Sequence, residues 1–271
     1  MQSLVKVQRF LMAVLILGAL TTCSKNDNPI PITIFSVQDD IDLGKKVDQE
    51  IMGTPAEYPI LDSAQYAAAY ANLYRIRNKI LASGKLSHPA DFQWKCRIIR
   101  NDTVINAFCV PGGNMYFYTG IIKLLDNEAQ FAGVMAHEMA HADLRHTSEQ
   151  LTVAYGESLL LSLILGNNPS QLAELAAALA QGLGDLAYSR THEYESDAAA
   201  VRYLYPTSYD AASLGDFFTK IGGQPTLPAF LSTHPSPEDR LAKINEVFNS
   251  LGGVHGQLYP EAYLQFKNSL P

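Results

Sequence analysis

The stretch Ala136-His137-Glu138-Met139-Ala140-His141 spells His-Glu-x-x-His. Residues four apart share one face of a helix, so both imidazoles can reach a single metal ion. Glu138 stands one position on from the first His, about 100° further around. From there its carboxylate reaches a water on the metal without being a ligand. That pattern implies a zinc hydrolase with Glu138 as general base. The small residues Ala136, Ala140 and Ala142 let neighbouring backbones come close to this helix.

A hydrolytic zinc site takes three protein ligands and keeps one open position. The third is sought in Glu193-Tyr194-Glu195-Ser196-Asp197. Glu193 and Asp197 are four apart and share a helix face, so Glu193 can ligate while Asp197 accepts a hydrogen bond from a ligating His. Glu195 points about 200° away from Glu193 and is expected to face elsewhere. A merely solvated acidic face does not account for the adjoining Ala198-Ala199-Ala200-Val201.

His137 through His146, with Ser189-Arg190, Glu193, Asp197 and the later Thr233-His234-Pro235 and Arg240, resembles the metallopeptidase family of the CAAX prenyl endopeptidases and the bacterial HtpX-type heat-shock proteases. The likeness is strongest to soluble periplasmic lipoprotein-type members. Leu43-Gly44, Asn106-Ala107-Phe108, Pro111-Gly112-Gly113 and Thr119-Gly120 also match, so it covers about residues 37 to 250. The departures are Ser196 where Ala is usual, and the missing membrane-spanning helices of the integral members. The resemblance implies a zincin-like fold, one zinc per chain held by His137, His141 and Glu193, and endopeptidase activity. In zincins an edge strand beside the metal pairs with extended substrate, which makes Asn106 and Ala107 candidate substrate-backbone contacts. His234, on a Pro-rich loop, is a candidate catalytic residue. It can donate to the oxyanion or occupy the zinc's open position. His146 reads as structural, and His192, next to Glu193, reads as no ligand.

The remaining pattern is an α+β fold, mostly helical, with a small three- to four-stranded sheet beside the metal-binding helix. Helices are expected over 37–52, from Asp62 (with Gln65 completing a capping box) to 81, and over 127–146 with Asp126 as cap. Further helices are expected over 152–165, 172–186, 189–204, 209–221, 237–251 and 260–268. Residues 92–100 and 103–110 read as two strands around an Asn101-Asp102 turn, with a third strand at 115–118. Cys96 and Cys109 flank that turn and can pair in an oxidising compartment. Two small buried thiols is the favoured reading.

At the N-terminus, Lys6 and Arg9 precede an apolar run from Phe10 to Leu20 and then Thr21-Thr22-Cys23. The run is too short to span a bilayer and reads as a signal peptide over 1–22. Leu20 to Cys23 resembles a lipobox, which makes Cys23 a lipidation site followed by a flexible tether over 23–36. The metallopeptidase domain is expected over 37–250, with a tail over 251–271 packed on or near it. Removing residues 1–22 takes two cations and no acid, moving the net charge from −7 to −9. An acidic export product without a Lys/Arg run excludes a nucleic-acid partner.

The function expected is therefore a periplasmic-side, outer-membrane lipoprotein that hydrolyses exported or misfolded envelope proteins. Its partners are unfolded or extended polypeptides and, through the lipid, the bilayer. The alternative is a zinc-bound chaperone-like holdase or assembly factor; an intact Glu138 speaks against it, because a binder needs no base.

Overall fold

Among the described residues, the helix Glu128–Asp143 lies at the centre of the fold. Its sixteen residues are all buried, as expected of a helix with neighbours all round. The structure is a computed structural model and describes residues 35–181, 186–222, 229–235 and 239–271. Residues 1–22, Cys23 and most of the tether lie outside the described residues. Phe35 is buried and Ser36 caps the first helix through a capping box with Asp39, so these two residues, read from the sequence as tether, pack with the domain.

In chain order the elements are α1 (Val37–Gly53), α2 (Ala67–Leu81), β1 (Cys96–Ile99), β2 (Ala107–Val110), a 3-10 turn at Pro111–Gly113 and β3 (Asn114–Tyr118). Then follow α3 (Thr119–Leu124), α4 (Glu128–Asp143), α5 (His146–Tyr155), α6 (Glu157–Ile164), α7 (Pro169–Gln181) and α8 (Arg190–Leu204). The chain closes with α9 (Ser213–Gly222), α10 (Phe230–Thr233), α11 (Arg240–Ser250) and α12 (Pro260–Asn268). This is the expected α+β architecture. Among the described residues no helix is long and apolar enough to cross a membrane; Gly156, at φ 77°, breaks the apolar stretch into α5 and α6.

The sheet differs from the expected hairpin. Its order is β1-β3-β2, with β1 parallel and β2 antiparallel to β3. The reversal is made by Pro111-Gly112-Gly113, with both glycines at positive φ, so β2 folds back onto β3. The Asn101 turn instead wraps the end of β3, with Asn101 N donating to Thr119 Oγ1 and Gly120 N to the Asn101 carbonyl. Gly120 permits this, since a Cβ there would stand 2.3 Å from the Val104 carbonyl oxygen. Cys96 and Cys109 both register against Met115, from opposite sides. Two strand spacings, about 9.5 Å, exceed disulfide reach, and both cysteines are free and buried.

Both faces of the sheet are covered, which explains the near-continuous apolar strands. Cys96, Ile98, Ala107, Cys109, Met115 and Phe117 face the core built on α4. Phe108, Val110, Tyr116 and Tyr118 alternate with them and face α1, α6 and α7. Gly44 on α1 lets the Pro111 turn approach: a Cβ there would lie 1.9 Å from the Pro111 carbonyl oxygen. The C-terminal tail is part of the core, because Tyr263 and Phe266 of α12 are fully buried and pack on Phe131 of α4. Burying each such ring contributes about 1.5–3 kcal/mol.

Two helix starts also differ. Asp62 accepts from Ala64 N and Gln65 N, but it closes a turn, and α2 begins at Ala67 without a side-chain cap. Asn127, not Asp126, caps α4 by accepting from Gln130 N. At its other end α4 stops at Asp143, and Arg145 takes the left-handed conformation at φ 63°. His146 therefore opens α5 and does not extend the metal-binding helix as the sequence reading had it.

Candidate metal centre

α4 presents His137 and His141 on the face that meets α8, and α8 returns Glu193. Ser189 caps α8 by accepting from His192 N, which sets Glu193 in the first turn. A third element supplies His234, immediately after α10. That short helix is tied to the chain just before β2 by a bond from Phe230 N to the Ile105 carbonyl. All four side chains are buried, and one ligand atom from each lies within 4.8 Å of the others.

The separations are short enough for these atoms to hold one cation between them. His137 Nε2 is 3.0 Å from His141 Nε2, 3.2 Å from His234 Nδ1 and 3.5 Å from Glu193 Oε2. Glu193 Oε1 is 3.4 Å from His141 Nε2 and 3.1 Å from His234 Nδ1. Ligands around a tetrahedral zinc with bonds of about 2.0–2.1 Å stand about 3.3–3.4 Å apart. Three imidazoles and one carboxylate, buried together without solvent, are a donor set that fits zinc. His137, His141 and Glu193 are the three expected ligands; His234 Nδ1 sits at the remaining corner.

Glu138 is fully buried, and neither of its carboxylate oxygens accepts a hydrogen bond among the described residues. His234 Nε2 lies 3.4 Å from Oε1. Burial drives the Glu138 carboxyl above its ordinary range, against the pull of His234 and His137. Burial would also raise Glu193, but the neighbouring His234, His141 and Arg240 outweigh it and hold the carboxyl well below its usual value. His141 is held well below the ordinary imidazole range by burial, against Glu193. His234 goes the other way: burial opposes its charge, but Glu138 and Glu193 prevail and raise it.

Around the cluster, Asp197 Oδ1 lies 3.0 Å from His137 Nδ1, a close contact without hydrogen-bond alignment. Both Asp197 oxygens accept from Arg240, at 2.6 and 2.7 Å. Arg240 also reaches Glu193 Oε2 at 2.5 Å and donates to the Pro235 carbonyl at 3.1 Å. It thus joins two acids of α8 to the loop that carries His234. Arg240, named from the sequence as part of the resemblance, is almost completely buried. Tyr188 was missed altogether. Its ring stacks on His141 at 3.8 Å, and its hydroxyl pairs with Thr147 at 2.9 Å. No spacing rule links it to the His-Glu-x-x-His motif, since it arrives on the loop before α8.

Asn106 and Ala107 are both fully buried. β2 is an edge of the sheet, as expected, but the end of α7 covers that edge. Asn106 Nδ2 donates to the Ala180 carbonyl at 3.4 Å, as does the Tyr118 hydroxyl at 2.9 Å. Asn106 Oδ1 has no partner among the described residues. Glu195 points away from the ligand cluster, as expected, and meets His146. His192 is no ligand and pairs with Glu149 at 3.2 Å.

Residues 67–247 match the family described as Peptidase family M48. This chain belongs to that family. The match takes in α2 through most of α11 and thus all the elements that build the cluster. Among relatives, the mitochondrial metalloendopeptidase OMA1 of Arabidopsis thaliana is 30% identical over 63% of this chain and 35% of its own length. The beta-barrel assembly-enhancing protease of Escherichia coli is 29% identical over 62% of this chain and 37% of its own. The OMA1 metalloendopeptidase of Schizosaccharomyces pombe is 29% identical over 64% and 51%. The chain spans about a third to a half of the length of these curated relatives.

Proposed function

We propose that this M48 chain is a zinc-dependent endopeptidase that cleaves exported or misfolded proteins of the cell envelope. The observation that carries the reading is the convergence of His137, His141 and Glu193 beside the unpartnered, buried carboxylate of Glu138. Bound there, zinc would polarise a scissile carbonyl and make water a nucleophile near neutral pH. Glu138 takes the proton of the attacking water and passes it to the leaving amine; its raised proton affinity suits that exchange. Asp197 and Arg240 hold His137 and Glu193 in place, and Tyr188 backs the His141 ring. A holdase has no use for a fully buried carboxylate beside the ligand cluster, because burying such a group is costly even with His234 3.4 Å away.

His234 restrains the site in this reading. Its Nδ1 is within 3.2 Å of His137 Nε2 and its Nε2 faces Glu138, so the ring competes with water for the fourth position. Extended polypeptide is the substrate class that suits β2, with Asn106 and Ala107 contacting its backbone once the end of α7 moves aside. The relatives named as beta-barrel assembly-enhancing proteases support a bacterial envelope setting, and the Cys23 lipobox supports an anchored, periplasmic-side protein. The test is cleavage of an unfolded protein such as reduced casein, with and without a chelator. Cleavage that stops on chelation and returns with one zinc per chain is the expected result. A chain that binds zinc and leaves casein intact contradicts the proposal.

A further inference from the structure

We propose that His146 is a positioning residue for His141, forming with Glu195 a relay from carboxylate to imidazole to metal ligand. The proposal rests on the zinc-site reading above and extends it from His137, which Asp197 approaches, to His141. Five residues beyond His141 on an unbroken helix would stand about 140° away. The left-handed Arg145 prevents that. Its guanidinium is held by Asp40 Oδ2 at 2.6 Å and by the Phe35 carbonyl, and the turn it makes sends His146 back against His141. The ring centroids are 5.2 Å apart and the two Nδ1 atoms 3.3 Å.

The hydrogen-bond roles then leave one arrangement. His141 Nε2 belongs to the ligand cluster, so when a cation is bound its proton is on Nδ1. That N–H faces His146 Nδ1, which must present a lone pair. A neutral imidazole with its acceptor on Nδ1 carries its proton on Nε2. His146 Nε2 lies 3.1 Å from Glu195 Oε2, an acceptor only. The opposite tautomer would donate from Nδ1 to Ser196 Oγ, at 3.1 Å. It would also set two N–H groups against each other and leave the carboxylate facing a lone pair. Ser196, free to rotate its hydroxyl, fits the first arrangement by donating to the same lone pair or turning away. The His146 ring cannot swing out, because it stacks on His192 at 4.4 Å and 14°, and His192 is itself fixed by Glu149. The Glu195 side chain is 56% exposed, so its contribution is orientation more than energy.

Partners of this kind change metal affinity by about 10- to 100-fold. The experiment measures zinc dissociation constants by chelator competition on the full chain for wild type, His146→Leu, His146→Asn and Glu195→Ala. Alongside it, imidazole nitrogen NMR of the zinc-loaded wild type reads the tautomers. We expect His146→Leu to weaken zinc about 10- to 100-fold. His146→Asn, whose side-chain oxygen can replace Nδ1 as acceptor, should restore most of the loss, and Glu195→Ala should lie between wild type and His146→Leu. In the NMR experiment His146 should carry its proton on Nε2. Wild-type affinity in His146→Leu, no restoration by His146→Asn, or a proton on His146 Nδ1 overturns the relay. If His146→Leu does not fold, the wild-type tautomer decides alone. None of these readouts needs cleavage. A chain that shows them and hydrolyses nothing refutes the endopeptidase reading alone, whereas one that binds no zinc refutes both.

Discussion

Replacing Arg240 with Met should be among the most damaging single changes outside the ligands. The guanidinium is 1% exposed and forms two parallel hydrogen bonds to Asp197, itself 1% exposed, while a third contact reaches the fully buried Glu193. Removing one partner of a buried pair leaves an uncompensated charge and costs about 3–5 kcal/mol. In a domain of this size each kcal/mol lowers the melting temperature by about 2–4 °C, so the expected fall is about 6–20 °C. The assay is urea and thermal unfolding of the metal-free protein, which removes any contribution from zinc binding. Arg240→Met combined with Asp197→Leu should recover part of the loss, because it removes the Asp197 charge that the single variant orphans, while Glu193 still lacks its contact with Arg240. A single-variant loss below about 1 kcal/mol, in the range of exposed pairs, would refute the claim that this pair is buried and mutually dependent.

Three further outcomes follow from the same geometry. His234→Ala should raise turnover of a short unstructured peptide by the inverse of the fraction of time the site is open. A fall of about 10²–10³ would instead assign His234 to the oxyanion. At Asp48, burial favours the neutral acid, but Arg97 and the Tyr116 hydroxyl outweigh it and lower the carboxyl. Its stabilisation is thus present above the unfolded value of about 3.9 and lost as pH falls through the lower folded value. Asp48→Asn should flatten the stability curve in that acid range, and an unchanged slope in urea titrations would contradict it. Gly44→Ala should cost about 1–3 kcal/mol by overpacking against the Pro111 carbonyl; a neutral result in thermal unfolding would show that α1 can shift freely.

The candidate cluster was legible because helical spacing alone puts His137 with His141 and Glu193 with Asp197. Element positions followed from apolar periodicity, and α12 was read to the residue. What failed were features set by single backbone dihedrals or by long-range pairing. The parallel β1–β3 pair lies across a crossover that no local pattern encodes, and an Asn-Asp pair is an equally good turn whichever strand it wraps. His146 looked structural because the reading continued α4 through Arg145, a residue type that gives no signal for a left-handed turn. Tyr188 and the double role of Arg240 depend on three elements meeting in space. His234 was found because a His in a Pro-rich loop has little reason to be there for packing, yet its contact with both Glu138 and Glu193 is visible only in three dimensions.

The central claim is that Glu138 acts as the base of a zinc site built by His137, His141 and Glu193. Glu138→Gln tests it most directly, with zinc content and casein cleavage measured on the same preparation. The account predicts one zinc per chain, as in wild type, and a turnover reduced by about 10²–10⁴, the range of a lost general base. A Glu138→Gln protein that holds its zinc and cleaves at the wild-type rate would contradict it.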